Sequence, residues 1–94
     1  MPKVFWTKPA FKDLQSIEEY IARDSVYYSK KFTNDIINAT ERLSQYPRSG
    51  RVVPEIGDQN TREIIYGSYR IMYQIRKQLV YITQITHGKR NLKH

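Results

Sequence analysis

The sequence has no cysteine and almost no histidine. Disulfide bonds and thiolate chemistry are therefore excluded. The two histidines are His87 and His94, and neither lies in a paired metal-ligand motif. No glycine-rich nucleotide-binding motif and no Ser-His-Asp pattern occurs. We therefore expect the protein to need no metal ion and no nucleotide cofactor.

Long apolar runs are also absent. No stretch of 18 apolar residues occurs, and the first eleven residues lack the apolar core of a signal peptide. The 94 residues, 39% of them hydrophobic, suffice for one modest core. We therefore expect a single domain, residues 1–94, that is soluble, cytoplasmic and not associated with a membrane.

Positive charge is abundant and unevenly distributed. The chain has a formal net charge of +7, and residues 62–94 contain seven basic residues against one acid, Glu63. The basic residues of this segment are Arg62, Arg70, Arg76, Lys77, Lys89, Arg90 and Lys93. Such clustering favours a polyanionic partner, either nucleic acid, a ribosome or an acidic protein. A basic surface can also serve solubility alone.

Two amphipathic helices are predicted in the first half. Apolar residues at three- and four-residue spacings predict a first helix over 9–23, capped by Thr7 or Lys8. They also predict a second helix, which Ser25 can cap and which Tyr46-Pro47 ends. The apolar stripes are Phe11, Leu14, Ile17 and Ile21 on the first helix, and Tyr28, Phe32, Ile36, Ala39 and Leu43 on the second. The short link between them predicts an antiparallel hairpin.

The second half predicts strands. Residues 61–66, 69–76 and 79–86 are rich in Ile, Tyr and Val and are joined by two-residue turns, and residues 4–7 form a plausible first strand. Residues 47–60 are predicted to be a loop. The fold class is therefore α+β, with an N-terminal antiparallel helical hairpin packed on one face of a small antiparallel sheet.

The turn at Lys77 and Gln78 also predicts the register of the last hairpin. It pairs Ile75 with Val80 and Tyr73 with Ile82, and these apolar pairs should face the helices. Continued without interruption, the register pairs Arg70 with Ile85. It then places Arg70, Arg76, Tyr81 and His87 together on the face that the helices leave open.

Three residues supply the groups that RNA cleavage requires. Glu55 is a candidate general base for the 2′-hydroxyl, Arg70 could stabilise charge on the phosphoryl group, and His87 is a candidate acid for the leaving oxygen. Each also has an ordinary interpretation: a solvated loop glutamate, a strand arginine, and a hydrogen-bonding histidine at a strand end.

Further residues are candidates for contacts with nucleic acid or another target. The basic candidates are Arg51, Arg62, Arg76, Lys89 and Arg90. Tyr66, Tyr69 and Tyr81 could stack on bases, although tyrosine is also simply a good strand residue.

Over nearly its whole length the chain resembles toxins of the RelE/ParE superfamily, from bacterial type II toxin–antitoxin modules. The order and spacing of many short pieces carry the resemblance. They are Trp6-Thr7, Ala10, Asp13-Leu14, Ile17, Tyr20-Ile21, Leu43, Pro47, Gly50-Arg51, Pro54-Glu55, Arg62-Glu63, the segment from Gly67 to Tyr73, and the segment from His87 to Arg90. The resemblance implies two N-terminal helices against an antiparallel sheet, in agreement with the fold predicted from periodicity.

The same resemblance implies more than one activity. One branch of the superfamily cleaves mRNA on the ribosome, and its members that use Glu, Arg and His resemble this chain at Glu55, Arg70 and His87. Another branch poisons DNA gyrase and is not a nuclease. This chain resembles the gyrase-poisoning branch in the strand that begins at Tyr69 and in the basic tail after His87. The glycine at position 88 also favours that branch over the nuclease.

We therefore expect a growth-inhibiting toxin. The first hypothesis is a ribosome-dependent mRNA endoribonuclease, the second a gyrase inhibitor, and the third a degenerate toxin that only binds its antitoxin. The resemblance implies an acidic antitoxin as partner, in a hetero-oligomer. We expect it to cover the open face and the helical hairpin, because folding onto a basic surface would order an otherwise unstructured segment.

Overall fold

The computed structural model describes residues 3–88. Its elements, in chain order, are β1 (Val4–Trp6), α1 (Lys8–Ala22), α2 (Val26–Glu41), a 3-10 turn (Arg42–Ser44), β2 (Arg51–Val52), β3 (Thr61–Tyr66), β4 (Tyr69–Arg76) and β5 (Leu79–His87). The α+β architecture is confirmed. Neither α1 nor α2, the two α-helices of this described part, has the length and apolar character needed to cross a bilayer.

Thr7, one of the two candidate caps of the first helix, and Ser25, the predicted cap of the second, both initiate helices. The Thr7 hydroxyl accepts from the Ala10 amide at 3.3 Å, and the Ser25 hydroxyl accepts from the Tyr28 amide at 3.1 Å. Each satisfies an amide that has no partner within the helix. Helix α2 ends at Glu41, earlier than predicted, because the chain tightens into the 3-10 turn before Pro47.

The core lies between the helical hairpin and one face of the sheet. Leu14, Phe32, Ile36 and Leu43 are buried there as predicted. Phe11 is not, since 51% of it is exposed. The buried stripe of α1 begins instead at the fully buried Ala10, because positions four apart lie on the same helix face. Tyr28, predicted for the stripe of α2, is also largely exposed.

The sheet has five strands in the order β1-β5-β4-β3-β2. It is mixed rather than wholly antiparallel, because β1 pairs with β5 in parallel. Strand β2 lies within the segment that was expected to be a loop, and it pairs with β3. Only long-range pairing stabilises such short strands, so local sequence patterns do not reveal them.

A β-bulge changes the register of β4 and β5. Lys77 and Gln78 have positive φ angles of 49° and 67°, and the predicted pairs of Tyr73 with Ile82 and Ile75 with Val80 are confirmed. Beyond them Thr83 has no Cα partner, so Met72 pairs with Gln84 and Arg70 with Thr86, instead of the predicted Ile85. Compared with the predicted register, the extra residue places every later side chain of β5 on the opposite face of the sheet.

Candidate functional site

Arg70 lies between two carboxylates on the face of the sheet opposite the helices. Its Nε donates to Glu63 Oε1 at 2.6 Å, while Nη1 and Nη2 donate to the two oxygens of Glu55 at 2.7 and 2.8 Å. Only 6% of Arg70 is exposed. Glu63 is contributed by the neighbouring strand β3, and the segment after β2 brings Glu55 over the guanidinium.

Hydrogen bonding stabilises the ionised forms of Glu55 and Arg70. The two hydrogen bonds from Arg70 are the main cause that lowers the pKa of Glu55 from 4.5 to about 2. The hydrogen bonds to Glu55 and then Glu63 raise the pKa of Arg70 above its ordinary value. Near neutral pH Glu55 is therefore a stable carboxylate with little tendency to take up a proton.

Arg51 completes a four-residue network. Its Nε donates to Glu63 Oε2 at 2.6 Å, and 57% of its side chain is exposed, whereas the Glu63 side chain is fully buried. Two arginines and two glutamates make the network neutral. Beside it lies a cleft of about 290 Å³, whose lining includes Arg51, Glu55 and Arg70.

His87 lies on the opposite face of the sheet. It pairs with Tyr69, and the two ring centroids are 5.6 Å apart. Tyr69 in turn packs against Phe32 of α2. The prediction that His87 shares a face with Arg70 is therefore wrong, because the bulge at Thr83 inverts the end of β5. The structure brings Glu55 and Arg70 together and leaves His87 beside α1, in a cleft that Asp13 also lines.

The other candidate residues have different environments. The hydrogen bonds of Arg62 have a structural role. It donates to the carbonyls of Gln59, Arg48 and Gly50 and so attaches the loop before β3 to the sheet. Arg76 is exposed at the end of β4. Lys89 and Arg90 lie outside the described residues.

The three candidate stacking residues separate in the same way. Tyr66 and Tyr69 pack edge-on against Phe32 in the core. Tyr81 instead faces away from the helices and stacks with Phe5, with ring centroids 5.7 Å apart. No group of three or more potential metal ligands assembles within residues 3–88.

Two residues were not foreseen as part of any site. Glu63 was considered only as the single acid of a basic segment and as part of the family resemblance, although an acid within a predicted strand can signal a buried ion pair. Phe5 gave no such signal, because its neighbour Tyr81 is known only once the parallel pairing of β1 is known.

Comparison with known proteins defines the class. Residues 4–92 match the model of the family described as ParE toxin of type II toxin–antitoxin system, parDE. The chain therefore belongs to the ParE toxin family and is a type II toxin of the RelE/ParE superfamily. Among curated proteins, no sequence matches it significantly.

Two solved structures share the fold. A chain of the chromosomal ParDE TA system from P. aeruginosa is 20% identical with a TM-score of 0.78, and the match covers 95% of this chain and 98% of that one. A chain of the toxin–antitoxin complex RelBE2 from Mycobacterium tuberculosis is 22% identical with a TM-score of 0.64, and the match covers 93% and 99%.

Proposed function

We propose that this toxin arrests growth by binding DNA gyrase and not by cleaving mRNA. The observation that carries the proposal is the separation of the three groups that cleavage would need. Arg70 is held by Glu55 and Glu63, while His87 lies across the sheet. Membership of the ParE family supports the same conclusion.

Each nuclease role meets an obstacle in this arrangement. A general base works best with a pKa near the operating pH, and the pKa of Glu55 is about 2. Three donor atoms of Arg70 already bind carboxylates, so a phosphate would have to displace Glu55. His87 would have to cross the sheet to reach either residue, and no side-chain rotation achieves that.

The ribonuclease remains the second candidate because Glu55 and Arg70 are in contact and line a cleft of about 290 Å³. A phosphodiester entering that cleft would meet both residues. The gyrase inhibitor and the ribonuclease make opposite predictions for the activity of variants that keep the side-chain shape but cannot transfer a proton.

The discriminating experiment combines Glu55→Gln and His87→Gln with two assays on the full chain. Inhibition of gyrase supercoiling and induction of the DNA damage response should be retained within about threefold in both variants, since binding needs no proton transfer. Glu19→Gln, an exposed helix residue, is the matched control. Cleavage of mRNA by the unmodified protein, lost in both variants, would refute gyrase binding and establish the nuclease.

The basic tail provides a second test of gyrase binding. The resemblance implies that the segment after His87 contributes, so the double variant Lys89→Gln with Arg90→Gln should weaken supercoiling inhibition. Normal growth on induction, with soluble protein verified, would contradict both candidates and support the degenerate toxin that only binds its antitoxin.

An acidic antitoxin is the proposed partner. The net charge of +7 supports it, and so does the nature of both structural relatives, a ParDE system and a RelBE2 complex. Exposed rings of Phe11, Tyr27 and Tyr28 on the helical hairpin offer apolar contacts to a folding segment. The adjacent gene product should co-purify, with an association rate that falls as salt rises. Absence of salt dependence would contradict the electrostatic part of the proposal.

A further inference from the structure

The open face of the sheet carries an aromatic pair at the end away from Arg70. Phe5 of β1 and Tyr81 of β5 are paired in register, and their rings stack with an interplanar angle of 24°. Phe5 remains 44% exposed although it belongs to a strand. Since β1 is an edge strand, Tyr81 meets one side of the Phe5 ring, and within residues 3–88 no strand lies on the outer side of β1.

Strand alternation explains why these rings are not in the core. Val4 and Trp6 flank Phe5 and pack against the core, as do Val80 and Ile82 on either side of Tyr81. The helices therefore cover one face of β1 and β5, and the two rings stand on the other face.

Two exposed cations, Lys3 and Arg76, occupy positions next to the pair. Strands β1, β4 and β5 contain no acidic residue. Gln74 is opposite Tyr81, which makes Arg76 a diagonal neighbour within reach of a long side chain. Lys3 lies two residues before Phe5 and is exposed. We call Lys3, Phe5, Arg76 and Tyr81 the aromatic–basic platform.

The cations of the platform differ from the other arginines of the sheet. Arg51, Arg62 and Arg70 all donate hydrogen bonds to carboxylates or carbonyls of the protein itself. Within residues 3–88, by contrast, neither Lys3 nor Arg76 forms an ion pair. Their charges are therefore available to an external anion.

We propose that the aromatic–basic platform binds single-stranded nucleic acid, with a base continuing the Phe5–Tyr81 stack and Arg76 and Lys3 contacting phosphates. Proteins that bind single-stranded nucleic acid commonly combine aromatic rings on an open sheet with nearby cations, because unpaired bases expose their faces for stacking. A duplex hides those faces, and an acidic peptide would use the cations but leave the ring stack without a partner. The inference does not depend on gyrase being the target.

The test is fluorescence anisotropy of labelled twelve-residue oligo(dT) and oligo(U) with the full-length protein at several salt concentrations. We expect dissociation constants on the order of 10 μM at low salt, typical of sequence-independent binding. Phe5→Leu with Tyr81→Leu removes the stack while keeping apolar bulk, and it should weaken binding about tenfold or more. Arg76→Gln should reduce the slope of log affinity against log salt by roughly 0.7.

Matched controls separate the platform from general basicity. Phe11→Leu changes a similarly exposed ring on the helical side, and Lys12→Gln removes an exposed cation there; both should bind as the unmodified protein does. Circular dichroism and thermal unfolding verify that each variant is folded.

Three results would overturn the proposal: no binding at 100 μM protein in low salt, equal loss in the Phe11→Leu control, or unchanged affinity in the folded Leu double variant. If the double variant instead loses gyrase or antitoxin binding while the unmodified protein binds no oligonucleotide, the face is a protein-docking surface and the proposal is wrong.

Discussion

The ion pair between Glu63 and Arg70 makes a quantitative prediction about stability. The Glu63 side chain is fully buried and that of Arg70 is 7% exposed. Removing one partner of a buried pair typically costs about 3–5 kcal/mol, because the other charge stays buried without compensation. We expect about 3 kcal/mol for Glu63→Gln, since Glu55 still neutralises Arg70, and about 4 kcal/mol for Arg70→Met, which leaves Glu63 with Arg51 alone.

The double variant Glu63→Gln with Arg70→Met should be more stable than the sum of the two losses predicts. Neutral side chains of similar volume often replace a buried pair with little penalty, so we expect a coupling free energy of about 2 kcal/mol or more. Urea unfolding measures all four proteins, and a loss of 3 kcal/mol should also lower Tm by roughly 12–24 °C in a domain of this size.

Arg51→Met is the control for this cycle. Arg51 also binds Glu63, but 57% of its side chain is exposed, so its loss should cost less than about 1 kcal/mol. Additive single variants, within about 0.5 kcal/mol, would falsify the argument that Glu63 and Arg70 are one buried unit. The outcome matters for function, because loss of toxicity in an Arg70 variant cannot be assigned to a target contact unless its folding is measured.

Further predictions concern pH, backbone and capping. Because the folded-state pKa of Glu55 is about 2, its contribution to stability is present above about pH 4.5 and is lost as the pH falls towards 2; Glu55→Gln should remove that part of the Tm–pH profile. Gly50→Ala should cost about 3 kcal/mol, because its Cβ would lie 2.6 Å from both Glu63 O and the Tyr73 hydroxyl. Gly57→Ala, with open space but a φ of 73°, should cost only about 1 kcal/mol in the same urea titration. Thr7→Ala should cost about 2 kcal/mol and Ser25→Ala about 1 kcal/mol by thermal unfolding, since both lose a helix cap but Thr7 also donates to Ile82 O at 2.9 Å.

The helices, the three long strands and the turns could be predicted because each has a local signal. Thr7 and Ser25 are strong caps, and apolar spacing separates helices from strands. The sequence could not reveal the parallel pairing of β1 or the two-residue strand β2. Both depend on which distant strand is nearby, and three or two residues carry too little pattern to specify a partner.

The candidate site was predicted in part for the same physical reason. The contact between Glu55 and Arg70 joins two residue types that attract each other wherever the fold lets them meet. The position of His87 depends on a single inserted residue, Thr83, whose hydroxyl donates to Met72 O at 3.2 Å within the bulge. A threonine in a strand is ordinary, so nothing in the sequence marks it as the bulged residue.

The bulge also follows from how β5 packs against the core. Strand β5 must return Ile85 to the core after Ile82, and an odd step between them is possible only with one extra residue. That requirement of packing determines which face His87 occupies, and it places the imidazole on the face opposite Arg70. The same sequence paired without the bulge would place His87 on the side of Arg70, but it would turn Ile85 away from the core. Whether His87 lies beside Arg70 therefore depends on the strand register and not on which residue types the sequence contains.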